Sequence, residues 1–89
     1  MTEAVWQRAV DWVGTEVEDS FVMIHLDTGT YLTLNRTASA VWDALETPQT
    51  QGAIEDRLRA QFDVDASTCS AAVGNLLAEM RGHQLASPV

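Results

Sequence analysis

The stretch Leu26-Asp27-Thr28-Gly29-Thr30-Tyr31-Leu32-Thr33-Leu34-Asn35 decides how this chain folds. It starts at the end of an apolar run, passes through an Asp-Thr-Gly turn and continues as a β-branched and aromatic run. It stops at an asparagine, a residue suited to cap a helix. Before this stretch the residues alternate as strands do, and after it apolar side chains recur at helical spacing. Working outward, strands are expected at 10–17, 21–26 and 30–34. A hairpin loop of four residues, 27–30, would mix polar and apolar side chains on both faces. A loop of three, 27–29, pairs Leu26 with Thr30, Ile24 with Leu32 and Val22 with Leu34. One face then carries Val22, Ile24, Leu26, Leu32 and Leu34, so the pattern selects the three-residue loop, with Gly29 in the left-handed position.

Beyond Asn35 a helix is expected over about 36–46, with Ala38, Val41, Trp42 and Leu45 on one stripe and Thr47-Pro48 ending it. A second helix, about 50–61, turns Ala53, Ile54, Leu58 and Phe62 inward. A third, about 67–81, is capped by Ser67 or Asp65, carries Cys69, Val73, Leu76, Leu77 and Met80, and stops at Gly82 as its C′ residue. His83 to Ala86 reads as a last short extended piece. The expected architecture is α+β, a βββααα order. A three-stranded antiparallel sheet is followed by a three-helix bundle, in a small winged-helix-turn-helix-like domain spanning 1–89 with its core at about 10–86.

Composition narrows the function. The chain has 89 residues, 13 acidic side chains and 5 cations, for a net charge of -8. All the cations are arginines. That balance disfavours nucleic acid and anionic membranes, and no apolar run is long enough for a membrane span. Met1 to Arg8 includes Glu3 and shows no signal peptide. The lone Cys69 cannot form an intramolecular disulfide and fits a reducing cytosol, so a cytoplasmic protein is expected. An apolar fraction of 46% argues for a folded chain rather than an acidic tail.

The strand at 30–34 would lie at a sheet edge, with no proline and no charge to blunt it. Two readings of that edge stay open. The protein's own third helix shields it, or an extended guest peptide joins it. On the second reading, a proline at Leu32 should remove an edge donor and abolish binding.

The run 26–35, followed by Ala38, Val41-Trp42 and Leu45, resembles the PqqD-like family. Thr50, Ile54, Leu58, Phe62-Asp63-Val64, Val73, Leu76-Leu77, Met80, Gly82 and Leu85 extend the resemblance over about 10–86. The resemblance implies a RiPP recognition element that binds the leader segment of a ribosomally made precursor peptide. The leader would add as a strand beside the third strand and lie against the third helix. It would then be delivered to a separate enzyme. That enzyme would be a radical SAM enzyme, as in pyrroloquinoline quinone biosynthesis, or a leader peptidase, as in lasso-peptide biosynthesis. Carried onto this chain, the implied peptide-binding residues are Thr30, Tyr31, Leu32, Thr33 and Leu34 on the strand. On the helix they are Ala72, Val73, Leu76, Glu79 and Met80. Gly74 and the alanines of the third helix depart from the pattern.

Other chemistry finds little footing. Cys69 begins an apolar helix line, His25 and His83 lack metal-ligand spacing, and the acidic residues are dispersed over turns and helix faces. No catalytic residue, metal or cofactor is expected. Trp42 is assigned to the core, Trp12 to a half-buried strand position, and Trp6 to an unstructured N-terminus ahead of a partner anchor. The alternatives to peptide binding are a winged-helix DNA-binding regulator and a module that homodimerises through the same edge. Residues 67–81 offer only Asn75 and Arg81 for a groove, so DNA ranks below peptide. A monomer or weak homodimer is expected.

Overall fold

The computed structural model describes residues 4–88; Glu3, used above in reading the N-terminus, lies outside the described residues. Strands β1 (Val5–Arg8), β2 (Trp12–Val17), β3 (Ser20–His25) and β4 (Tyr31–Leu34) precede helix α1 (Arg36–Ala44). Then come β5 (Gln49–Thr50), α2 (Gln51–Gln61), α3 (Ala66–Gly82) and β6 (Ala86–Pro88). The fold is mixed α+β with three helices, but it has two three-stranded antiparallel sheets instead of the single one expected. One is β2-β3-β4 in chain order and the other is β5-β1-β6. The second sheet escaped the sequence because its strands have only four, two and three residues, too few to display alternation. Trp6, expected in an unstructured tail, sits in β1 opposite Gln49 on one side and Pro88 on the other, and packs against the core.

The helix starts follow the capping residues. Asn35 Oδ1 accepts from the Ala38 amide at 2.8 Å, Thr50 Oγ1 from Ala53 at 3.2 Å and Asp65 Oδ2 from Thr68 at 3.3 Å. Hydrogen bonds from Thr68 hold the Asp65 carboxyl below its ordinary range. The end of α3 differs from expectation. Gly82 is helical, and Gln84, at φ 61°, takes the left-handed position. Leu85 N–H donates to Met80 O at 2.8 Å and Gln84 N–H to Arg81 O at 3.1 Å, the paired bonds of a Schellman stop. A β-carbon in that conformation costs about 1 kcal/mol. Gln84→Gly is therefore expected to stabilise the protein by up to about 1 kcal/mol and raise Tm by several degrees in a thermal melt.

The β3–β4 hairpin is also one residue out of the expected register. Met23 faces Leu32, Ile24 faces Tyr31 and Val22 faces Thr33. His25 N–H donates to Thr30 O at 2.7 Å, so the loop is 26–29, with Gly29 at φ 72°. Counting aliphatic residues favoured Val22, Ile24 and Leu26 as the inner face. The larger side chains won instead. Phe21 and Met23 turn inward with Leu32, Leu34 and the Trp12 end of β2, leaving Ile24 and Leu26 exposed. Gly14, across from Met23, has no side chain, and the Phe21 ring fills the space a Cβ would occupy.

The core joins both sheets to the helices. Met23, Val41, Trp42, Leu45, Ile54, Val73, Leu77 and Leu85 are buried within it. Trp12 is more buried than expected, at 7% exposure. Arg8 covers Trp42 from β1. Its guanidinium lies 4.4 Å from the ring centre and its Nε donates to the Trp42 carbonyl at 2.9 Å. Burial lowers the Arg8 pKa, against the pull of Asp43 and Glu46.

Candidate functional site

β4 is the outer strand of its sheet, and no strand among the described residues pairs with its far side. In an antiparallel ladder, hydrogen-bonded and non-bonded pairs alternate. The His25–Thr30 bond places Met23–Leu32 among the bonded pairs and Ile24–Tyr31 and Val22–Thr33 among the others. The outward N–H and C=O groups therefore belong to Tyr31 and Thr33. Leu32 spends its amide on β3, so a proline there would break the ladder rather than the free edge.

A groove of about 170 Å³ runs between β4 and the C-terminal half of α3. Leu32, Thr33 and Leu34 form one wall and Leu76, Glu79 and Met80 the other. Asn35 and Ala38, at the start of α1, contribute to the lining. His83 and Leu85, delivered by the Schellman stop, line it as well. The walls are mostly aliphatic, with Thr33, Asn35, Glu79 and His83 as polar points. The groove suits an extended chain that hydrogen-bonds to β4 and buries an apolar side chain.

The structure thus brings together six of the residues implied for peptide binding: Leu32, Thr33, Leu34, Leu76, Glu79 and Met80. Tyr31 contributes outward backbone groups, while the residue is 71% exposed and its ring lies on the opposite face of the sheet. Thr30 lies between the loop and β4, and its amide donates to Thr28 Oγ1 at 3.3 Å. Val73 is fully buried in the core. Ala72 lines a separate apolar cavity with Leu58, Phe62 and Cys69. Asn35, Ala38, His83 and Leu85 were not named in advance. Asn35 ends the run that decides the fold and Ala38 stands on the first helix's apolar stripe, so their signal was present. The last two depend on how α3 ends.

Other chemistry is weak here too. Cys69 is buried, with Sγ 3.6 Å from Glu55 O. Burial, then the Glu55 charge, push its thiol pKa up, away from the reactive thiolate. Asp11, His25 and Asp27 bring potential ligand atoms within 4.8 Å of one another. His25 Nδ1, however, already accepts the amides of Asp27 and Thr28 at 3.2 Å each. The neutral ring must then carry its proton on Nε2, so neither nitrogen offers a metal a free lone pair.

Comparison with known proteins gives two solved structures of the same fold. One, TbiB1 in complex with the TbiA(beta) leader peptide, is 27% identical, with a TM-score of 0.79 over 91% of this chain and 94% of that one. The other, a lasso peptide synthetase B1 complexed with the leader peptide, is 16% identical, with a TM-score of 0.79 over 93% of this chain and 98% of that one. No curated protein matches. The profile of the family described as coenzyme PQQ synthesis protein D (PqqD) matches residues 20–86, a span from β3 into β6 that takes in both walls of the groove, and the chain belongs to that family.

Proposed function

We propose that this protein recognises the leader segment of a ribosomal precursor peptide, taking it as an added strand along β4 and presenting it to a separate enzyme. The supporting observation is the groove between an unpaired strand edge and α3, in a fold shared with two proteins solved with leader peptides bound. The guest would pair with the outward groups of Tyr31 and Thr33 and seat an apolar side chain against Leu32, Leu76 and Met80. Each main-chain bond contributes about 0.5–1.5 kcal/mol net, and the buried side chain supplies the rest. The protein contributes binding only, without catalysis, in the cytoplasm. The β3–β4 hairpin and the α2–α3 pair play the wing and helix-turn-helix parts of a winged-helix arrangement.

Delivery needs a second surface. The solvent face of the first sheet carries Val13, Ile24 and Tyr31 in one row across three strands, all substantially exposed. That row ends on β4, beside the proposed guest. It is the face we assign to the receiving enzyme, a leader peptidase or a radical SAM enzyme. DNA finds no comparable support, since Arg81 is the only cation on α3.

The test is a titration of the isotope-labelled protein with the leader of any short precursor frame found beside its gene. Amide shifts are expected to concentrate at Tyr31, Thr33 and the α3 wall. Leu76→Gln is expected to weaken binding about tenfold, roughly 1.4 kcal/mol, while leaving the fold intact. Shifts confined to surfaces away from β4 would overturn the strand-addition reading.

A further inference from the structure

The turn that leads into β4 is built around an imidazole. His25 Nδ1 accepts two turn amides, those of Asp27 and Thr28, and His25 O accepts the Gly29 amide at 2.9 Å. The turn continues into β4 through Thr28, whose hydroxyl donates to Thr30 Oγ1 at 2.9 Å. The ring is held in place. Trp12 packs edge-on at 5.0 Å between ring centres, and Nε2 stands 3.6 Å from Asp11 Oδ2. The charged groups facing the ring are Asp11, from the link before β2, and Asp27, from the turn.

From this we infer that His25 is a proton-operated latch on the peptide-binding edge. In the neutral ring, Nδ1 is the acceptor that holds the turn closed. Adding a proton puts an N–H on Nδ1, pointing at two N–H donors, and both turn bonds are lost. The carboxylates of Asp11 and Asp27 stand close to the charged ring, and the amides of Asp27 and Thr28 are released. The turn has two states, closed on the neutral ring and open on the charged one, and one proton selects between them. Because the turn positions Thr30 and the start of β4, its release weakens guest pairing at that end. This last consequence rests on the leader-binding reading; the latch does not.

Nitrogen-resolved NMR of the free protein tests the latch directly. At pH 7.5 the His25 ring is expected as the Nε2–H tautomer. On titration to pH 5.5, the Asp27 and Thr28 amides should shift and lose exchange protection along the same curve as the ring. His25→Asn supplies a non-titrating oxygen that can accept the same amides, and should hold both signals constant. An Nδ1–H tautomer at pH 7.5, or turn amides that stay unmoved while the ring titrates, overturns the latch. In a second arm, leader affinity for the wild type is expected to fall about fivefold between pH 7.5 and 5.5, roughly 1 kcal/mol, and to stay level in His25→Asn. Equal affinity at both pH values in the wild type refutes the coupling to the guest. No binding at any pH refutes the leader reading and leaves the NMR result standing.

Discussion

Thr33→Pro is expected to cut leader affinity at least tenfold, about 1.4 kcal/mol or more, in a protein that still folds. Thr33 faces Val22 in a non-bonded pair, so its amide points away from the sheet and no ladder bond is lost. The proline removes the outward donor and sets its ring where the guest's carbonyl should approach. Leu32, the preceding residue, is already extended, as a residue before proline should be. The matching control lies one position away. Leu32→Pro cancels an inward amide opposite Met23 and disturbs a side chain packed on the core, so it should destabilise the fold itself. Calorimetric titration together with circular dichroism separates the two. A folded Thr33→Pro protein that binds the leader like the wild type would sink the added-strand model.

Trp42→Ala is expected to have the largest effect on stability, a loss of about 3–5 kcal/mol. Total stability for a domain of this length is roughly 4–13 kcal/mol, so the loss takes a large share of it. The ring is 4% exposed and sits within the core cluster that joins the helices to both sheets. It also carries Arg8 on its face, and through Arg8 the strand β1. The Arg8 bond to the residue 42 carbonyl would survive the substitution, so the cost comes from the ring's packing and its cation–π contact. Urea denaturation of Trp42→Ala and Trp42→Phe measures it. The phenylalanine should recover most of the loss, and a cost below about 1 kcal/mol for alanine would refute the packing assignment.

The helices were legible because their signals are local. Asn35, Thr50 and Asp65 each announce a first turn, and Thr47-Pro48 forbids a long α1. The existence of β2, β3 and β4 was legible for the same reason. Their register was not. Periodicity says that alternate residues share a face but does not say which face is inner. That choice was made by Phe21, Met23 and Trp12, whose packing involves partners far along the chain. The Gln84 stop was invisible because nothing marks glutamine for a left-handed angle when Gly82 stands two residues earlier. Much of the groove could be named in advance, since β4 and the exposed side of α3 follow from the strand and helix patterns. Val73 was misplaced on it because a helix one face of which lines a groove turns another into the core, and composition alone does not divide Val73 from Leu76.

Pairing of Trp6 with Pro88 joins the two ends of the described chain. During synthesis, β2, β3 and β4 have their strand partners within some twenty residues and can zip while translation continues. β1 is made well before β6 and must wait for it, so Trp6 and Arg8 emerge long before the strand that covers one side of them. Leu85, on the groove lining, enters at the same late moment, when the Ala9 amide finds its carbonyl at 2.8 Å. The edge strand is therefore finished early, whereas the complete groove exists only after the last strand has docked. A nascent chain would offer a sticky strand edge before it could discriminate among guests.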